Sequence, residues 1–145
     1  MDATELESER EFSPGPVELY VPATGTNAVI ARIVAATLAA HLDFGLDRID
    51  DLRVIADEFF SMVIDLVEPG NPVQLHLAIT GGGSSPSIHL HSHGTTMRTR
   101  PPEPSDLRWT LLTALANDVA LQMQDRTFVL DVEVAAHPGI PRPDN

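Results

Sequence analysis

A chain of 145 residues, 43% of them hydrophobic, is long enough for one domain with a single core. Its formal charge of −12, from 21 acidic and 9 basic residues, argues against direct nucleic-acid binding, which needs cations to displace counterions from phosphate. The same charge argues against adhesion to anionic membranes. Cysteine is absent, which excludes disulfides and thiolate chemistry. No apolar run approaches the roughly 20 residues that span a bilayer. The acidic start, MDATELESEREF, lacks the apolar stretch of a secretion signal. A cytoplasmic protein is the simplest expectation.

Residues 1–16 are polar and end in Ser-Pro-Gly-Pro, the composition of a flexible tail. Val17 to Val21 alternates apolar and polar side chains and reads as a strand. Pro22 to Asn27 is a turn with capping chemistry before a helix from Ala28 to Leu42, whose expected inner side is Ile30, Ile33, Val34, Thr37, Leu38 and His41. Arg32 is its only cation and stands near the positive end of the helix dipole, an unhelpful place. Spacing leaves an ordinary surface arginine and a partner contact both open.

Asp47 to Val67 is the strongest element. Leu52, Ile55, Phe59, Met62 and Leu66 recur three and four apart, widened by Ala56 and Val63, as in an amphipathic helix with a broad buried face. Asp47 or Asp50 is the expected cap, and Glu68-Pro69-Gly70 ends the helix. Asp51, Glu58 and Asp65 lie on its flank. Glu58, one turn before Met62, is either a solvated boundary charge or a site carboxylate.

Val73 to Thr80 and Ser87 to Ser92 form a hairpin around Gly81–Ser85, with Ile88, Leu90 and Ser92 inward. His89, His91 and His93 then project from the outer face, where His76 can join them. No carboxylate accompanies them at a diagnostic spacing, so no metal site is expected. Gly94 to Ser105 has no periodic pattern and reads as a loop. A third helix follows from Ser105 or Asp106 to about Asp118, with Leu107, Leu111, Leu115 and Trp109 as core contacts. Val119–Gln124 and Thr127–Val134 alternate around Asp125-Arg126 as a second hairpin, and HPGIPRPDN is a proline-rich end. A Gly-x-Ser-x-Gly elbow is missing, and Gly81–Gly83 precedes a strand rather than the helix that a phosphate loop needs. The order β-α-α-β-β-α-β-β favours an α+β, two-layer sandwich with three helices on one face of a mixed, mainly antiparallel sheet.

The run ARIVAATLAAHLDFGLDRIDDLRVIADEFF, residues 31–60, resembles the two N-terminal helices of the RsbW/SpoIIAB-type anti-sigma factors, serine kinases of the GHKL (Bergerat) ATPase superfamily. SIHLHSHGTT resembles the strand carrying their Asp-x-Gly-x-Gly box, and WTLLTALANDVAL the helix behind their ATP lid. The similarity implies a domain over 17–135, with residues 1–16 and 136–145 as tails. In the family, the organising helix carries a catalytic Glu and, four residues later, a magnesium-binding Asn. Here those places hold Glu58 and Met62, and a thioether is a poor ligand for magnesium. Ser92 stands where an Asp recognises adenine; Gly94 survives, and Thr96 replaces the next glycine. Asp106 and Arg108 replace lid glycines that let backbone amides approach phosphate, and the lid itself, Thr95–Ser105, is short.

The resemblance therefore implies the family's scaffold and partner surface with a degenerate nucleotide site. No cofactor is expected. Arg32 matches a family arginine that contacts both the sigma factor and its antagonist. The expected partners are an alternative sigma factor, a STAS-domain anti-anti-sigma factor and a second copy of the chain as homodimer. The alternative is an active ATP-dependent serine kinase acting on that antagonist, with Glu58 as base and ATP and Mg as cofactors. A third reading keeps the fold for an unrelated partner.

Overall fold

The computed structural model describes residues 17–68, the backbone of 74–79, and residues 86–137. The expectations for the N-terminal tail, the Gly81–Ser85 turn, the side chains from Val73 to Thr80 and most of the proline-rich end lie outside the described residues.

The chain runs β1 (Val17–Pro22), a 3-10 turn, α1 (Ala28–His41), α2 (Leu46–Leu66), β2 (Gln74–Ile79), β3 (Ser87–Thr95), α3 (Leu107–Leu115), β4 (Asp118–Gln124) and β5 (Thr127–Ala135). This is the expected order. β1 pairs antiparallel with β2, from Val17 opposite Ile79 to Pro22 opposite Gln74. β5 is the central strand of a second sheet, between β3 and β4, and both pairings are antiparallel. β2 runs beside β3, so the two sheets abut. Every described ladder is antiparallel, and the parallel component of a mixed sheet is not among them. α2 packs against α1 and α3 and against β3 and β5. The fold is α+β, with helices layered on a sheet.

Alternation builds the inner face of that sheet. Ile88, Leu90 and Ser92 of β3 and Phe128, Leu130, Val132 and Val134 of β5 are buried, while the residues between them face outward. α2 supplies the opposing layer. Leu52, Ile55, Ala56, Phe59, Met62, Val63 and Leu66 are all buried as the spacing predicts, and Phe60 and Ile49 join them. Each large apolar side chain so buried stabilises the fold by about 1.5–3 kcal/mol.

Three local expectations are corrected. α2 starts one residue early, and its N-cap is Gly45 in extended conformation with no side-chain cap; Asp47 lies inside the first turn and Asp50 pairs with Arg53. The most buried side of α1 is Ala31, Ala35 and Ala39, with Val34 and Leu38 packed against the core as expected, whereas Ile30 and Ile33 are 44% and 58% exposed. Methyl side chains at i, i+4 and i+8 let the α1 backbone approach its neighbours, which leaves Ile30 and Ile33 on the outer side. Thr37 Oγ1 meanwhile donates to the Ile33 carbonyl, 2.8 Å away on the exposed side. In α3, Leu112 is the core residue and Leu107 is 69% exposed. Asp106 caps the helix by accepting from Arg108 N at 2.9 Å, and the inward stripe runs through Trp109, Leu112, Leu115 and Ala116.

Arg48 closes the architecture, and no spacing announces it. Only 6% exposed, it donates from Nε to the Ala135 carbonyl (2.8 Å), from Nη1 to the Leu115 carbonyl (2.6 Å) and to Asp51 (3.2 Å), and from Nη2 to Asn117 Oδ1 (2.5 Å). One guanidinium thus ties the start of α2 to the ends of α3 and β5.

Candidate functional site

The residues singled out by the sequence fall into two regions. Met62 on α2, Ser92 on β3 and Thr96 just beyond β3 are in the core, with exposures of 0%, 0% and 1%. Thr96 is hydrogen-bonded, its N–H donating to the Arg126 carbonyl at 2.9 Å and its Oγ1 accepting from Arg98 N at 3.1 Å. Ser92 Oγ is the one buried side-chain polar atom among the described residues with no hydrogen-bond partner. A buried hydroxyl without a partner costs about 1–3 kcal/mol. Gly94 pairs with Phe128 in the β3–β5 ladder. β3 runs through His93 and Gly94 to Thr95, past the expected strand end, so those residues belong to the sheet rather than to the loop.

Glu58 is half-buried, and no hydrogen bond or ion pair engages it among the described residues. A general base works through an aligned proton partner, and the residue one turn on, Met62, supplies neither a proton site nor a hard oxygen.

The lid segment is clamped by charge. Asp65, near the end of α2, accepts from Arg98 Nη2 at 2.7 Å and Arg108 Nη2 at 2.9 Å. Arg108 also donates to both carboxylate oxygens of Asp106, at 2.7 and 3.1 Å, and to the Ser61 carbonyl at 3.3 Å. The Arg108 guanidinium holds the Asp106 carboxyl down at about 2, and Asp106 and Asp65 together raise Arg108 above its usual value. Arg108, in the place of a lid glycine, is thereby satisfied by the protein's own carboxylates.

Three clefts open around this clamp and share Met97 and Arg98. Their volumes are about 400, 620 and 490 Å³. They lie against the β4–β5 turn, along the lid segment, and beside Asp65 and Arg108 respectively. None of the three is lined by Glu58, Met62, Ser92, Gly94 or Thr96.

Arg32, on α1, lines none of these three clefts. Its Nη1 is 3.1 Å from Asp57 Oδ2 on α2, with the two side chains 39% and 41% exposed. Val29, Ile30 and Ile33 of the same helix are exposed beside it. Asp57 and this aliphatic patch were missed from the sequence. Asp57 is 25 residues from Arg32, and no spacing rule pairs them.

His89, His91 and His93 do face outward, but carboxylates accompany them. The β3–β5 register sets His91 opposite Asp131 and His89 opposite Glu133. His91 Nδ1 is 2.5 Å from Asp131 Oδ1, and His89 Nε2 is 3.9 Å from Glu133 Oε1. No group of three or more histidine or acidic side chains is placed to hold a metal among the described residues. No protein-family model matches the sequence, and no curated protein matches it either.

Proposed function

We propose that this chain is an anti-sigma factor of the RsbW/SpoIIAB type on a GHKL-like scaffold, acting by binding rather than by phosphoryl transfer. The observation that carries this reading is the outer surface of α1. Val29, Ile30 and Ile33 are exposed at helical neighbour spacing, with the half-exposed Arg32 among them. Aliphatic side chains around an arginine are the composition of a protein interface rather than of a solvated face. The Arg32–Asp57 pair is worth only about 0.2–1 kcal/mol at such exposure. Exchanging Asp57 for a carboxylate on a partner therefore costs little.

The similarity of residues 31–60 to the family's two N-terminal helices supports the same reading, as does the order of elements. Loss of kinase chemistry is supported by Met62, Ser92 and Thr96 packed in the core and by Arg108 and Arg98 neutralised on Asp65 and Asp106. The charge of −12 suits a sigma factor's basic, DNA-reading surfaces. On this reading the protein is a cytoplasmic homodimer that occludes the sigma factor's contacts with core polymerase and is released by a STAS-domain antagonist. It needs neither ATP nor magnesium.

Immobilised protein challenged with the host's alternative sigma factors tests the interface. Arg32→Glu and Ile33→Asp each lower affinity for the captured sigma factor at least about tenfold, with the melting temperature held within a few degrees. Capture unchanged in both variants refutes the assignment of α1.

A further inference from the structure

We infer that His91 and His93 form a two-imidazole chelate for a divalent transition-metal cation of the zinc class, on the outer face of β3, with Asp131 orienting His91. The inference is independent of the anti-sigma reading and uses none of its residues.

His91 and His93 are two residues apart on one strand and so project from the same face. His91 Nε2 and His93 Nδ1 are hydrogen-bonded at 3.3 Å, with ring centroids 5.5 Å apart; His93 Nδ1–H donates, and a bound ion takes the place of that proton as His93 switches to its Nε2–H tautomer. An ion at about 2.05 Å from each of two nitrogens so separated subtends roughly 107°, close to the tetrahedral angle that zinc adopts. The separation is therefore the bite of a chelate without movement of the strand. His93 is exposed, so its ring can turn to aim Nδ1 at the ion.

Asp131 adds a second observation. Its Oδ1 lies 2.5 Å from His91 Nδ1. The carboxylate accepts the Nδ1 proton, which leaves the lone pair of His91 on Nε2, the atom that faces His93. A carboxylate behind a metal-binding imidazole is the recurrent supporting contact of zinc sites, where it fixes the tautomer and raises the basicity of the donor. Asp131 sits on β5, the central strand of its sheet, so this orientation is held by a two-sided ladder. Glu133, Asp118 and Asp131 lie on neighbouring positions of the sheet, and their negative charge favours a cation there.

With two protein donors among the described residues, the remaining positions of a four-coordinate ion are open to water. With half the donors of a structural zinc site, the dissociation constant falls on the order of 1–100 µM. By the order of ligand-field stability, copper(II) binds more tightly than zinc and manganese more weakly.

The test is calorimetric titration of the full chain with zinc chloride at about pH 7.5. One equivalent binds in the range given above. His91→Gln and His93→Gln each weaken it at least tenfold, and Asp131→Asn weakens it about tenfold or more. His41→Gln, on α1, leaves it unchanged. Two-bond proton–nitrogen correlation spectra then shift Nε2 of His91 and Nδ1 of His93. No saturable binding below about 1 mM, or binding that survives the His91→Gln/His93→Gln double variant, overturns the proposal.

Discussion

Arg48→Met removes the guanidinium that ties three elements together and keeps most of its aliphatic length. In the native protein Arg48 donates to two backbone carbonyls, Leu115 and Ala135, and to Asn117 Oδ1 and Asp51. Asn117 Oδ1 keeps a second donor, Ala135 N at 2.8 Å, and Asp51 is partly exposed and can turn to water. The unrecovered loss is therefore at the two carbonyls, about 1–3 kcal/mol each. Relief from desolvating the charge offsets part of it. The net expectation is a loss of about 3 kcal/mol, or roughly 10–15 °C in melting temperature for a domain of this size. Circular-dichroism melts and urea titrations of wild type and variant measure it, with equal m-values showing that the denatured state is unchanged. A variant within about 1 kcal/mol of wild type refutes the reasoning. It would mean that burying the charge costs as much as its hydrogen bonds return.

Further outcomes follow from the lid clamp and the second hairpin. Asp106 is held at about 2 against an ordinary 3.8. The unfolded chain thus takes up its proton first as pH falls, and the stability Asp106 contributes is complete above about pH 4 and lost towards pH 2. Asp106→Asn flattens the dependence of the urea midpoint on pH over that window; an unchanged slope contradicts the role of Arg108. Asp125 and Arg126 turn the second hairpin with φ of 50° and 63°, the left-handed pair of a two-residue turn in which glycine is preferred at the second position. Arg126→Gly stabilises the protein by about 0.5–1 kcal/mol in the same urea titrations, since its contact with Glu68 is 4.0 Å long with Arg126 77% exposed. Destabilisation would show that the arginine does more than close the turn.

Local pattern made the layered fold legible. The stripe of α2 and the alternation of β3 and β5 depend on neighbours along the chain, and both are buried as spacing predicts. α1 misled for a physical reason. Hydropathy ranks isoleucine above alanine, but close helix packing selects the smaller side chain, so Ala31, Ala35 and Ala39 went inward. In α3, Trp109 and Leu115 turn inward as expected, but Leu112 rather than Leu107 or Leu111 takes the fully buried position. The site partners were the least legible. Arg32 with Asp57, Arg48 with Leu115 and Ala135, and His91 with Asp131 are joined by tertiary packing across 25 to 87 residues, where no periodicity operates.

Sequestration of a sigma factor is measured as solution affinity for the cognate alternative sigma factor, by fluorescence anisotropy with and without Mg-ATP. Saturable binding at or below about 1 µM is expected, the same in both conditions and lowered at least about tenfold by Arg32→Glu. No binding to any alternative sigma factor of the host contradicts the anti-sigma reading. Binding that requires Mg-ATP and is lost in Glu58→Gln contradicts the loss of nucleotide chemistry.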